Sequence, residues 1–384
     1  MIYFDHNATT PLDERVKEAM LPYLSRFFGN PSSLYRLGRV ARSAIEAARE
    51  QVAALVGANP AEVVFTSGGT EANNLAIKGL GYSLPRGLAA LGATEHPSVT
   101  ESMAFLASQG WCVEKLVSDR LGVTSPESSL CLGATPLRFA SIMWANNETG
   151  ALNDIPGIAA VLREKGTVIH SDAVQAAGKI PVNFASSGAH LLTLSSHKIY
   201  GPKGAGALVT DRAVPLVPLI HGGGQERDLR GGTENVAAIV GFGKAADLAL
   251  AELEERRGRL IPLRQRLESG LAEFSGVTLF AREAERLPNT VQFSLAGFDG
   301  EMLVMLLDRH GFAVSSGSAC SSTAHDPSPV LLAMGVEPAV AKGAVRVSLG
   351  ASNAEADVDR FLGVLQGLMR TDSGLPGSCA PRRC

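Results

Sequence analysis

Short apolar runs near residues 63–65, 88–94, 139–145, 167–170, 191–194 and 205–209 alternate with stretches of helical periodicity, which limits this chain to a narrow set of folds. Runs that are apolar throughout, rather than at every second residue, belong to strands buried on both faces. Their order implies an α/β architecture, a mostly parallel sheet with helices on either side. Thr10-Pro11 reads as a helix start, with a capping hydroxyl, proline at the first helical position, and Val16, Met20 and Leu24 on one face. A second helix is expected from Arg36, carrying Val40, Ala44, Ala48, Val52 and Leu55 until Gly57 stops it.

The pattern changes after a long expected helix at 235–259. A helical unit at 260–274, a strand at 290–295, a helix at 301–310, a strand at 345–349 and an amphipathic helix at 353–369 read as a smaller α+β domain. The expected division is a large domain at 11–258, a small one made of 1–10 with 259–372, and a tail at 373–384 without periodicity, expected to be mobile. No internal repeat is present.

Composition closes off several classes of function. A formal net charge of −3 gives no basic footprint for nucleic acid. No apolar run reaches the roughly 18 residues of a membrane span, and Met1-Ile2-Tyr3-Phe4-Asp5 has no signal-peptide character. Five cysteines without CxxC spacing argue against a disulfide framework or a zinc site and suit the cytoplasm. Cys112 and Cys131 lie among apolar neighbours and read as inert buried thiols.

Two of the expected strands end in polar clusters, His170-Ser171-Asp172 and Ser195-Ser196-His197-Lys198. Carboxyl ends of strands are where open α/β sheets bind ligands. Lys198 follows Asp172 by 198 − 172 = 26 residues, a pairing that suits pyridoxal phosphate. The amine would hold the cofactor aldehyde covalently, and the carboxylate would keep the ring nitrogen protonated so that the ring accepts electrons. Alone, a Ser-x-His-Lys tetrad reads as a solvated turn; the apolar framing decides otherwise.

A phosphate needs a cradle, and Ser67-Gly68-Gly69-Thr70 after the first strand offers backbone amides at a helix start. Ser195 and His197 can add hydrogen bonds there. Glu95-His96 follows another strand, so the His96 imidazole could stack on the ring and move protons near neutral pH. His6, His190 and His310 have no such context and read as structural. Asn147, in Asn146-Asn147-Glu148, can reach cofactor or substrate. The glycine-rich stretch 221–235 reads as an irregular loop of the kind that completes sites at subunit boundaries. Cys320 sits among small polar residues, where a thiolate can react. Arg346 interrupts an apolar strand and wants a partner, for which a substrate carboxylate is a candidate.

These motifs together resemble the NifS-type cysteine desulfurases, class-V aminotransferase relatives of pyridoxal phosphate fold type I. The likeness runs from Tyr3-Phe4-Asp5-His6-Asn7 to Arg346 and takes in Gly29-Asn30-Pro31, Gly69-Thr70, Glu95-His96, Asn146-Asn147-Glu148, the Asp172 and Lys198 clusters, the 222–233 loop and Ser318-Ala319-Cys320. The resemblance implies a large domain with a mostly parallel seven-stranded sheet. It implies that Lys198 carries pyridoxal 5′-phosphate and moves protons, and that Asp172 pairs with the ring nitrogen. Gln175 would meet the ring hydroxyl and His96 would stack. Gly69, Thr70, Ser195, Ser196 and His197 would hold the cofactor and its phosphate, with Thr233 from the second subunit of a homodimer. Asn147 and Arg346 would bind L-cysteine. Cys320 would be the nucleophile, carrying the sulfur as a persulfide to an iron-sulfur scaffold protein and ligating a cluster transiently as it does so.

Two departures stand out: Tyr35 where many members carry histidine, and no long C-terminal extension for scaffold docking. The acceptor stays open between nitrogenase clusters, general iron-sulfur assembly and tRNA thiolation, with Cys379 and Cys384 as conceivable relays. Another enzyme of the same fold, such as an aminotransferase or selenocysteine lyase, lacks a reason for Cys320. A catalytically silent sulfur carrier lacks a reason for Lys198, Asp172 and His96. A nucleotide-binding oxidoreductase would need a GxGxxG after the first strand, which is missing.

Overall fold

The computed structural model describes residues 1–125, 136–316 and 326–372. The chain opens with β1 (Ile2–Tyr3), α1 (Glu14–Ser25) and α2 (Arg36–Leu55). It continues through β2 (Val63–Thr66), α3 (Gly69–Ser83), β3 (Leu88–Gly92), α4 (Pro97–Ser108), β4 (Cys112–Leu116) and β5 (Leu137–Ser141). Then come α5 (Ile155–Arg163), β6 (Val168–Asp172), α6 (Phe184–Ser187), β7 (Leu191–Ser195), β8 (Gly206–Thr210), α7 (Val236–Ala251) and α8 (Leu253–Ala272). Strands β2 to β8 form one seven-stranded sheet in the order β2-β8-β7-β6-β5-β3-β4. Only β8 runs against the rest, antiparallel to both β7 and β2. The α/β class and the mostly parallel seven-stranded sheet are therefore as expected.

Burial on both faces explains the strand composition: every residue of β2, β3, β7 and β8 is buried. One face packs Ile45 and Val52 of α2 and Phe242 of α7 onto the sheet; the other packs Leu75, Ile77 and Leu80 of α3 with Met103 of α4. The edge strand β4 escapes the apolar signal because it is half solvated, with Glu114 and Lys115 exposed in the way that discourages edge-to-edge pairing. Cys112 lies on this edge and is exposed, not the buried inert thiol its neighbours suggest.

The chain then builds β9 (Val277–Leu279), β10 (Thr290–Leu295), α9 (Gly300–Arg309), β11 (Phe312–Ala313), β12 (Ser315–Ser316), α10 (Pro329–Ala333), α11 (Pro338–Lys342), β13 (Ala344–Ser348) and α12 (Glu355–Asp372). A four-stranded antiparallel sheet runs β12-β13-β10-β9. Its core is aromatic and leucine-rich: Phe293, Phe312 and Phe361 with Leu267 and Leu271 of α8. Phe4 joins this core, β1 pairs with β11, and Asp5 bridges to Ser348. The N-terminal segment thus packs with the last third of the chain.

Three local expectations are corrected. α1 starts at Glu14, capped by Asp13 accepting the Arg15 N–H at 2.9 Å; the Thr10 hydroxyl instead donates to the His197 carbonyl and accepts the Tyr200 N–H. On α2 the buried positions are Gly38, Ala41, Ile45, Ala48, Arg49, Val52, Ala53 and Leu55, with Val40 and Ala44 only half-buried. The helix expected to run unbroken to 259 breaks at Glu252, whose carboxylate takes Arg15 at 2.6 Å and Arg256 at 2.8 Å, pinning the corner between α7 and α8.

Candidate active site

The carboxyl ends of β6 and β7 lie side by side, and the next turn after each delivers the residues that matter. Asp172 closes β6; its Oδ1 accepts the Val174 N–H at 2.9 Å and its Oδ2 accepts Asn73 Nδ2 at 2.7 Å. After Ser195 a 3₁₀ turn, Ser196–Lys198, swings Lys198 back over the sheet end. Tyr200 then takes a positive φ of 69°, costly for a non-glycine residue, and is held there by its N–H bond to Thr10 Oγ1 at 2.7 Å. Lys198 Nζ meets the carbonyls of Asn7 and Ala8 at 2.5 and 2.7 Å.

A cavity of about 370 Å³ opens in front of this arrangement, within the usual size of a small-molecule site. It is lined by Gly69 and Thr70 at the start of α3, by His96, Asn147, Asp172, Gln175, Ser195, His197 and Lys198, and by Arg346 from β13. The large sheet and the small one both contribute. Ser196 is the exception among the expected cofactor residues: it is buried but does not line the cavity, and its hydroxyl lies where a Cβ on Gly201 would fall. Thr233 is exposed and also stands outside the cavity of its own chain. Cys320 lies outside the described residues.

Gly206 of β8 presses on the strand-to-helix turn so closely that a Cβ there would come within 2.5 Å of the Gly68 carbonyl carbon, so the turn tolerates no larger residue behind it. The first amides of α3 and its dipole favour an anion. Ser195 Oγ is buried without a hydrogen-bond partner, an acceptor or donor waiting for a ligand atom. The donor set, the buried orphan hydroxyl, the carboxylate and the adjacent lysine fit pyridoxal phosphate in shape and chemistry.

Burial sets the charges. His197 is pushed down to about 4, by burial first and then by Lys198, Lys203 and Lys179. His96 is also lowered, again by burial first, with Asp172 opposing and Lys198 adding to the effect. Glu95, fully buried with Oε1 on the Met143 N–H at 2.6 Å, is raised well above the carboxylate range by burial. Glu148 is raised to about 7 by burial, against bonds from Ser328 at 2.5 Å and Gln292 at 3.1 Å.

Arg346 already has a partner that sequence reasoning missed. Its Nη2 meets Asp5 Oδ1 at 2.6 Å and its Nη1 donates to the Asn147 carbonyl at 3.0 Å, leaving a buried Nε without a partner. Asn7 was missed as well. Its carbonyl takes Lys198 Nζ and Gln175 Nε2, and its side chain takes Lys179 Nζ at 2.8 Å. Lys179, wholly buried and lowered well below the lysine range by burial, also donates to Gln175 Oε1 at 2.6 Å. That bond fixes the Gln175 amide with its NH₂ turned away. The spacing of four between Gln175 and Lys179, and of three between Thr70 and Asn73, were the available signals. Among the described residues no group of three or more His, Cys, Asp or Glu side chains could hold a metal.

The description of class-V aminotransferases matches residues 2–361. The chain belongs to the class-V aminotransferase family. Its cofactor is pyridoxal 5′-phosphate. The chain is similar to a protein of Methanosarcina thermophila named cysteine desulfurase IscS, 43% identical over 366 residues that cover 95% of this chain and 91% of the relative. It is 44% identical to a Sinorhizobium fredii protein named cysteine desulfurase, with 96% of each covered. Among solved structures a NifS-like protein superposes with a TM-score of 0.91 at 37% identity, covering 96% of this chain and 99% of that one.

Proposed function

We propose that this class-V aminotransferase is a cysteine desulfurase that converts L-cysteine to L-alanine, leaves the sulfur as a persulfide on Cys320, and supplies it for iron-sulfur cluster assembly. The single observation that carries the reading is one cavity that joins Lys198 and Asp172 from the large sheet to Arg346 from the small one, on the strand beside the Cys320 segment. Ser315 pairs with Arg346 in β12 and β13, and Ser328 is bonded to Glu148 next to Asn147. The chain on either side of Cys320 therefore leaves and returns beside substrate-binding candidates.

When bound, the cofactor supplies an electron sink for the substrate α-carbon. Thr70, Ser195 and His197 would hold its phosphate, Asp172 its ring nitrogen, and Gln175 its ring hydroxyl. Arg346 and Asn147 take the substrate carboxylate, and Lys198 Nζ removes and returns the proton at the α-carbon. Cys320 thiolate forms an S–S bond with the substrate sulfur while the Cβ–S bond breaks with its electron pair left on carbon; protonation of that carbon gives alanine. Cysteine plus the protein thiol become alanine plus the protein persulfide, with no external oxidant.

The same reading includes a division at 11–258 and 1–10 with 259–372, supported by a core that packs Phe4 with residues between 260 and 365 and takes none from 11–258. It includes a homodimer, supported by Thr233 standing exposed outside its own cavity, and a cytoplasmic place, supported by cysteine usage. Among the described residues no helix is long and apolar enough to cross a membrane. The acceptor is an iron-sulfur scaffold protein, and iron that Cys320 meets there is cargo. The test is sulfide and alanine release from cysteine plus a reductant. Cys320→Ser is expected to abolish sulfide release while the protein stays yellow; full activity in that variant would refute the assignment.

A further inference from the structure

His96 is the N-cap of α4, and this position decides which of its ring nitrogens carries the proton. The Ser98 backbone N–H donates to His96 Nδ1 at 3.1 Å. A backbone N–H has nothing to accept with, so this bond, long at 3.1 Å, favours a lone pair on Nδ1 without fixing it alone. Ser98 Oγ lies 2.8 Å from the same Nδ1 and itself accepts Asn73 Nδ2 at 2.8 Å. The Asn73 amide only donates to this hydroxyl, so the one hydrogen of Ser98 Oγ is free to point at Nδ1.

The Asn73 amide cannot be turned over. Its Nδ2 also donates to Asp172 Oδ2 at 2.7 Å, and a carboxylate only accepts. Reversal would place two oxygens face to face in a residue that is 1% exposed. Asn73 Oδ1 is left buried and without a partner, which shows that the amide is held by its two donations. Donor direction therefore runs from Asn73 to Ser98 to His96, with Asp172 fixing the first link.

We infer that Asn73 and Ser98 are positioning residues that lock His96 as the neutral tautomer with its proton on Nε2, so that the nitrogen left to face a ligand in the cavity donates a hydrogen bond and does not accept a proton. The acceptor is a lone pair of the substrate sulfur, held in place while the Cβ–S electron pair passes to carbon. The positive end of α4 works in the same direction, disfavouring a second proton on the ring. The chemical role rests on the desulfurase reading. The tautomer does not.

The test is nitrogen NMR of the full-length protein with ¹⁵N-labelled histidine at neutral pH, with and without cofactor, the His96 signals being assigned by their loss in His96→Gln. The expected result is a pyridine-type Nδ1 and a pyrrole-type Nε2 in both forms. A protonated Nδ1 in the wild-type protein would overturn the inference even if the enzyme makes persulfide. Conversely, the expected signature would survive failure of the desulfurase reading. Asn73→Asp replaces the donor with an acceptor and should move His96 toward the Nδ1–H form; an unchanged spectrum would remove Asn73 from the relay. Should that variant not fold, Ser98→Ala reads the same link, with a mixture of tautomers expected and an unchanged spectrum contradicting it. Ser98→Thr should restore the wild-type signature.

Discussion

The two sheets treat the same cavity differently. The large one presents it with strand ends: Asp172 and Ser195 terminate strands whose residues are almost all buried, and Lys198 follows within a single turn. The small one presents it with an arginine from the middle of β13, neutralised by Asp5 from the N-terminal segment and adjoining the chain that leads to Cys320. Strand ends on a packed sheet hold a fixed group at fixed points. A buried ion pair with one nitrogen still unsatisfied holds a group that comes and goes. On the proposed function, the large sheet keeps the cofactor and the small one receives and releases substrate.

The most severe way to break this comparison is Lys198→Ala. Sulfide release should fall roughly 10²- to 10⁴-fold, the usual contribution of a positioned acid-base group, and the protein should lose its covalently held yellow colour. Arg346→Lys should leave the colour intact and raise KM by roughly tenfold to a hundredfold, since a charge-assisted hydrogen bond contributes about 1.5–3 kcal/mol. Loss of colour with Arg346→Lys, measured by absorbance alongside steady-state kinetics, would merge the two regions into one.

Glu148 lies on the seam, bonded to Gln292 and Ser328 from the small-sheet side. Its pKa rises from 4.5 to about 7 on folding, so the folded state resists ionisation that the unfolded chain accepts. The stability tied to this group is complete below about pH 4.5 and is lost as pH rises through 7. Glu148→Gln keeps an acceptor for both bonds and never ionises. It should gain on the order of 3 kcal/mol over the parent at pH 8 and far less at pH 5, by denaturant midpoints; equal effects at both values would contradict the assignment. The smallest effect expected is from Glu252→Ala at the corner between α7 and α8, below about 1 kcal/mol because Arg15 is half exposed.

Much of this was legible in the sequence. Lys198, Asp172, His96, Thr70 and Arg346 stand out because each follows or interrupts an apolar run, and the structure gathers all five around one cavity. What escaped depends on contacts between distant parts of the chain. Asp5 matters through Arg346, and Asn7 through Lys198 and Lys179; no local pattern announces either pairing. Thr10 looks like a helix cap because capping hydroxyls and turn-holding hydroxyls have the same local sequence, and only the arrival of His197 and Tyr200 separates them. The β4 edge was hidden by its own solvation, and the break at Glu252 by its helix-favouring neighbours.

The account stands or falls on where the sulfur goes. Protein mixed with cysteine carrying isotope-labelled sulfur, trapped by alkylation without reductant and mapped by peptide mass, should show the label on Cys320. Label on exposed Cys112, or on no cysteine while labelled sulfide is still released, would contradict it.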